Sequence, residues 1–495
     1  MRRTRMKREA QAESAIFDVV IIGGGASGAW LALDSASRGL KTLLVEQYDF
    51  AACTSSRSTK LIHGGLRYLR RLDIGLVRES QREKNLLLHM AGDFITPLKF
   101  QIPCFSPYET LKYKAGLRLY DFLSQNEKSS GAYSREEMVS KSPNLHHDKV
   151  HSLLTYFDAG FDDSRFAIEL LKKAFTCGAC LLNYTRLDFF IYDAKHKIIG
   201  ARIKDQIDFE EFEVYGKTFI NATGPFTDIV RKINNPSETK IMCLSRGSHI
   251  VVDSSFLGTD EALLIPKTVD GRVVFMIPWK GKTLIGTTEE GQAKPEKDPA
   301  VTPEEVSYLL STVRQFLRHG PEEKDIISRF AGIRPLVRRI PHRSSKILSR
   351  RHEILIESTS KLVTLTGGKW TTSRLMAEET LNRMMAHDLL PFRPSITSTL
   401  LIQRLDNIPS LPVSEETLKE KIHYYVKEEM ATCIEDILSR RERLLFLDPQ
   451  RALQLAPKVA EILKTELEHE YPIEQDEKAF TKIVNNYCPQ SVRLS

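Results

Sequence analysis

In the stretch VVIIGGGASGAW, from Val19 to Trp30, a β-branched apolar run breaks into glycines and then resumes at helical spacing. An unalternating apolar run predicts a strand buried on both faces, and ASGAWLALDSASRGL predicts a helix ending near Gly39. KTLLVEQ then reads as a second buried strand. Strand, glycine turn, helix, strand is a βαβ unit, and its parallel sheet must be covered by helices.

Gly23, Gly25 and Gly28 fit the spacing G-x-G-x-x-G. The first glycine allows a tight turn, the second lets backbone approach a pyrophosphate, and the third lets helix and strand pack closely. The helix start at Ala26 and Ser27 offers unsatisfied N–H groups and positive partial charge to that pyrophosphate. Glu46 ends the next strand about 20 residues on, where a carboxylate accepts from ribose hydroxyls, and Gln47 follows it. An acidic group there argues against NADP. One such unit at the N-terminus, with INATG at 220–224 and TGGKW at 366–370, favours FAD over NAD. The late strand–glycine–helix would aim a helix N-terminus at the flavin pyrimidine and stabilise negative charge on the reduced ring.

The segment from His151 gives strand, helix, strand; VYGKTFINATG gives another strand ending at Gly224; KLVTLTGGKWTTSRLMAEETLNRMMA repeats the strand–glycine–helix plan. The stretches between alternate and turn like an antiparallel sheet. The expected class is α/β, with a discontinuous FAD-binding Rossmann-like domain at 16–90, 150–235 and 325–388. An inserted, mainly antiparallel β substrate or cap domain would occupy 91–149 and 236–324, and a C-terminal α-helical domain 395–495. In the last, Val426, Met430, Ile434, Ile437 and Leu438 read as one apolar helix face, with Arg440 and Arg441 at its end.

Composition excludes little else. Net charge is +7 over 495 residues, and there is no basic block interleaved with aromatics, so nucleic acid is not an expected partner. Seven scattered cysteines suit a reducing compartment. CGAC at 177–180 has metal-ligand spacing without a second pair, reads as a helix end turning into a strand, and predicts no metal. No uncharged apolar run approaches the roughly 20 residues that span a bilayer. The basic N-terminus MRRTRMKREAQAES reads as a disordered tail, with a short mitochondrial targeting segment as the alternative.

TSSRSTKLIHGGLRYL (54–69), NATGPFTD (221–228), GSHIVV (247–252), FMIPW (275–279), GTTE (286–289), GIRPLV (332–337) and TGGKWTT (366–372) follow one another along the chain. In this order they resemble the FAD-dependent, membrane-associated respiratory glycerol-3-phosphate dehydrogenases. EEMATCIEDILSRRERLLFLD (428–448) is similar to that family's helical C-terminal domain. Glu289 stands where the family usually has Asp, and Trp370 where smaller aliphatics are usual. The resemblance implies oxidation of glycerol 3-phosphate to dihydroxyacetone phosphate by hydride transfer from C2 to flavin N5.

That reaction needs cations for the phosphate, an acceptor for the hydroxyl proton, and close contact without water. By resemblance, Arg67, Arg334 and Arg350 are the phosphate candidates, with Tyr68, Lys369 and Thr371 also on the substrate. His249, Lys369 and Arg334 are the catalytic candidates, the first two because either could take a proton near neutrality. The remaining cofactor candidates are Thr54, Ser55, Ser56, Lys60, His63, Gly64, Gly65, Gly224, Gly332, Gly368, Lys369, Trp370 and Thr371. For the serines, threonines and lysine, loop capping is the competing role.

The resemblance further implies a membrane quinone as acceptor and peripheral attachment to an anionic membrane surface, and it is compatible with a homodimer. RRIPHRSSKILSRR (338–351) is the sequence candidate for lipid contact. The expected location is the cytoplasmic face of a bacterial inner membrane, or alternatively the mitochondrial inner membrane. Two other readings remain: an amine or 2-hydroxy-acid oxidoreductase of the same fold, and a flavin-binding RNA-modification protein.

Overall fold

The computed structural model describes residues 3–12, 15–66, 69, 73–124, 129–266, 268, 271–338, 352–404, 407–411, 413–467 and 470–489. Two sheets organise it, and their seam positions the site. The first has eight strands, with the central order Glu353–Ile356, Val363–Thr366, Glu211–Asn221, Ile16–Ile22, Thr42–Val45, Cys180–Leu182. Its five inner pairings are parallel except for the Glu353–Ile356 edge. Ile16–Ile22 is thus flanked on both sides, which explains an apolar run without alternation. Helices Ala26–Ser37, Asp163–Thr176 and Ser373–Ala386 cover it, with Trp30 fully buried among them.

The second sheet has ten strands and is mainly antiparallel. Two expected boundaries change here. Ser152–Phe161 and Ser328–Val337, assigned above to the FAD-binding domain, pair in this sheet, with Ile95–Cys104 and Met242–Asp253 respectively. Both strands are apolar enough to be buried in either sheet, so their partners were decided by long-range register and not by neighbours in sequence. Leu61–Ile62, from the other side of the boundary, also joins this sheet.

The N-terminus differs too. Arg3–Gln11 is a docked helix, not a disordered tail. Met6 and Ala10 are buried, Arg3 reaches Asp205 at 2.8 Å, and Lys7 reaches Asp205 at 3.0 Å and Glu210 at 2.8 Å. A helix this short is marginal alone, but burying one methionine contributes about 1.5–3 kcal/mol.

The C-terminal region is helical, at Glu415–Glu429, Leu444–Leu447, Pro449–Glu466 and Ile473–Tyr487. The expected continuous face from Val426 to Leu438 is broken. Met430 adopts φ +56°, and a wide-turned π-helix covers Asp436–Arg441. The Asp436 carboxylate accepts from the backbone N–H groups of Thr432 (2.8 Å) and Cys433 (3.3 Å), which caps the second helix and separates it from the first. Arg440 and Arg441 are buried. At CGAC, Cys177 caps helix Asp163–Thr176 and Cys180 opens a strand.

Candidate active site

A cavity of about 870 Å³ lies between the carboxyl ends of the first sheet and one face of the second. That is the crevice where open α/β sheets hold ligands. Its floor is the glycine loop. Gly23 sits at φ +109°, and a Cβ on Gly28 would stand 1.8 Å from the Gly23 carbonyl oxygen. Gly28 therefore sets helix against strand and does not line the cavity, whereas Gly23, Gly25, Ala26 and Ser27 do. The Ala26 N–H donates to Ser55 Oγ at 2.9 Å, so Ser55 caps the helix that the loop opens.

Glu46 and Gln47 line the same end. The Glu46 carboxylate accepts from the N–H of Gly24 at 2.6 Å and of Tyr48 at 2.9 Å. Burial raises its pKa above the usual carboxylate range, against the pull of those two N–H groups. Thr54 also lines the cavity but donates its hydroxyl to Ile333 O at 2.7 Å. Loop capping thus accounts for Thr54 and in part for Ser55.

Ser56 and Lys60 need correction as cofactor candidates: neither lines the cavity. The Ser56 hydroxyl donates to Cys53 O at 3.2 Å. Lys60 points into the protein, donating to the Asp163 carboxylate and to Ser56 O, both at 2.7 Å. It lies 5.3–5.4 Å from the ring centres of Trp279, Phe330 and Phe446. Burial in that setting pulls its ammonium down to about 7 despite Asp163. Gly64 likewise packs beneath the site, where a Cβ would meet the Tyr120 hydroxyl at 2.5 Å. Its N–H donates to Asp158, which also accepts from Lys84 at 3.2 Å and Tyr120 at 2.7 Å.

The rest of the lining is assembled from distant segments. His63, Gly65, Gly224, Gly332, Gly368, Lys369, Trp370 and Thr371 all line the cavity. The His63 N–H donates to Thr371 Oγ1 at 3.1 Å, and the Trp370 indole donates to Ser55 O at 3.2 Å, tying the late glycine turn to the early loop. Lys369 Nζ donates to Ser80 Oγ at 2.6 Å. Arg334 donates to Thr287 Oγ1 at 2.7 Å and Thr288 O at 3.2 Å, and it crosses Gly247 where any Cβ would stand 2.2 Å from the guanidinium.

His249 comes from strand Met242–Asp253 and pairs in register with Gly286. A Cβ at Gly286 would overlap its ring at 2.1 Å, so that glycine makes the room the imidazole occupies. The ring stacks on Phe330 at 4.9 Å, and Nε2 lies 3.0 Å from Thr59 Oγ1. Burial, followed by the positive charges of Arg334 and Lys60, holds its pKa well below the usual histidine range. The imidazole is therefore neutral at physiological pH.

His249, Arg334, Lys369 and Thr371 thus share one cavity with the glycine loop. Arg67, Tyr68 and Arg350 lie outside the described residues, as does the lipid-contact candidate from residue 339 to 351. The sequence reading missed Thr59, Ser80, Thr287 and Asp158. Thr59 and Thr287 stood inside quoted motifs. Ser80 and Asp158 had no local signal, because a helix serine and a strand aspartate become partners only through packing.

The FAD dependent oxidoreductase family model matches residues 18–383, and the model for the C-terminal domain of alpha-glycerophosphate oxidase matches 358–471. The mitochondrial glycerol-3-phosphate dehydrogenase of Bos taurus is 35% identical over 93% of this chain and 72% of its own. The chain belongs to the family of FAD-dependent glycerol-3-phosphate dehydrogenases. The human mitochondrial enzyme is 34% identical with the same coverage. Among solved structures, the Bacillus halodurans glycerol-3-phosphate dehydrogenase complexed with FAD superposes with a TM-score of 0.78 at 26% identity, covering 99% of this chain and 98% of that one. FAD is the cofactor, and the residues fit it. The loop at Gly23 and Gly28 leaves no room for side chains, a helix N-terminus opens onto the cavity, and Glu46 stands at the ribose position of the family plan.

Proposed function

We propose that the protein oxidises sn-glycerol 3-phosphate to dihydroxyacetone phosphate and passes the electrons to a membrane quinone, working at the face of an inner membrane. The observation that carries this reading is the convergence of Arg334, Lys369 and His249, from three separate segments, on the cavity beside the glycine loop. Bound FAD supplies the two-electron acceptor for the hydride that leaves C2. Arg334, whose planar fork is oriented by Thr287 and Thr288, bonds the phosphate oxygens. Lys369, positioned by Ser80, neutralises the substrate's charge near the reacting carbon. Neutral His249 takes the C2 hydroxyl proton at Nε2, the atom beside the Thr59 hydroxyl.

The test is direct. Glycerol 3-phosphate added without oxygen should bleach the flavin absorbance of the pure protein; an unchanged spectrum overturns the reading. Arg334→Ala should retain stoichiometric flavin while kcat/KM falls about a hundredfold. Loss of flavin in that variant would move Arg334 to the cofactor.

A further inference from the structure

Helix Pro107–Ser124 has two unlike faces. Leu117, Tyr120 and Ser124 are buried, and Tyr120 bonds Asp158 beneath the cavity at 2.7 Å. On the opposite side Tyr108, Leu111, Ala115, Leu119 and Phe122 recur at spacings of three and four, which puts them on one stripe. Phe122 is 78% exposed, Tyr108 74% and Leu111 71%. Phe105, just ahead of the helix, is exposed as well. Scattered exposed apolar side chains are ordinary, but a continuous helical stripe marks a surface that is covered in use.

The margins of the stripe identify the cover. Lys114 and Arg118 flank it on one side and Lys112 on the other, all exposed. The helix's acidic groups sit toward the buried side and are engaged: Glu109 accepts from Phe105 N–H at 2.8 Å, Asp121 from Ser130 at 2.6 Å. An apolar strip between cationic margins matches an anionic bilayer, whose acyl boundary takes the strip while headgroup phosphates meet the cations. A two-fold partner copy would set basic margin against basic margin. The surface is also continuous with the site, because Lys112, Tyr113, Gly116 and Leu117 along the helix's inner edge line the cavity.

We propose that helix Pro107–Ser124 docks this protein on an anionic membrane, lying flat in the lipid interface with the cavity beside its inner edge. The inference rests on the reading that the electron acceptor is dissolved in the membrane. It adds which surface meets the lipid. Among the described residues no helix is long and apolar enough to cross a membrane, so attachment through them is interfacial.

The test uses FAD-loaded protein and vesicles of phosphatidylcholine with and without phosphatidylglycerol, read by co-sedimentation. The native protein should sediment with the anionic vesicles and be released by salt. Leu111→Ser with Phe122→Ser, and separately Lys114→Glu with Arg118→Glu, should each weaken binding about tenfold or more while turnover with a water-soluble dye stays unchanged. If the native protein binds and both double variants bind equally well, this helix is not the docking element, and the membrane reading survives. If the native protein ignores all vesicles, both fall. If the apolar variant instead dissociates an oligomer, the stripe is a subunit face and the proposal is overturned.

Discussion

Glu46 and Asp49 stand three residues apart on one loop and meet opposite environments. Glu46 faces the cavity, takes two backbone N–H groups, and is pushed above the usual carboxylate range by burial. Asp49 faces the C-terminal helices. Burial would raise its pKa too, but the guanidiniums of Arg441 and Arg440 reverse this and hold it below that range. Arg440 meets Asp49 at 2.5 Å, and Arg441 bonds both of its oxygens. The same division runs along the loop. Thr54 and Ser55 line the cavity, while the buried Arg57 guanidinium reaches Asp298 at 2.9 Å and Tyr487 of the last helix at 3.1 Å. One side of the loop holds its polar groups with neutral partners, ready for a ligand. The other is clamped by buried ion pairs that reach across to the C-terminal helices. The cofactor loop is thus positioned from behind by a region that, among the described residues, contributes none to the cavity lining.

This contrast can be broken by mutation. Asp49→Asn leaves Arg440 and Arg441 buried with less counter-charge and should destabilise the protein by about 3–5 kcal/mol, seen as a large fall in Tm with flavin loss following unfolding. Retention of native Tm would show that the remaining carboxylates suffice, Glu435 and Asp436 on Arg440 at 2.5 Å each and Glu429 on Arg441 at 3.5 Å. Glu46→Gln should do the reverse: a small change in Tm, but FAD held about tenfold more weakly, because the amide is a poorer acceptor for ribose hydroxyls. Equal flavin affinity would remove Glu46 from the ribose. Lys60→Met should leave flavin content unchanged, because Lys60 does not line the cavity, and should lower Tm less than Asp49→Asn, because Arg443 still pairs Asp163 at 2.8 Å. A flavin-free Lys60→Met protein would restore Lys60 to the cofactor.

The same charges set an acid limit. Asp49, Asp162 and Glu435 are each raised by burial and lowered further by cations: Arg441 and Arg440; Lys280 and Arg443; Arg440 and Lys297. Their folded pKa values lie below the unfolded ones. The folded state therefore binds fewer protons, and the stability they contribute is complete above about pH 5 and lost progressively as pH falls through the folded values. Acid unfolding followed by circular dichroism should show that loss, and Asp49→Asn should flatten it. A pH profile identical in the variant would show that the clamp does not act through charge.

Much of the cofactor end was legible in the sequence, because backbone does the work there. Gly23, Gly25 and Gly28 are spaced by the turn they make, and Glu46 follows by the length of one helix and one strand. The family motifs likewise marked His249, Arg334 and Lys369, but not what holds them. Thr59, Ser80 and Thr287 are partners by packing, and Gly286 matters because strand register sets it opposite His249. The arginine pair at 440–441 was placed only at the end of an apolar face, and its partner Asp49 is brought to it by the fold.

The sequence alone determined the βαβ nucleotide loop, the α/β class and the helical C-terminus, since each follows from local spacing of apolar and glycine residues. Tertiary structure decided which sheet Ser152–Phe161 and Ser328–Val337 join, which way Ser56 and Lys60 point, and which arginines meet carboxylates. The sheet pairings and the arginine partners depend on contacts between segments far apart in the chain, where register and burial choose among partners that local pattern leaves equivalent.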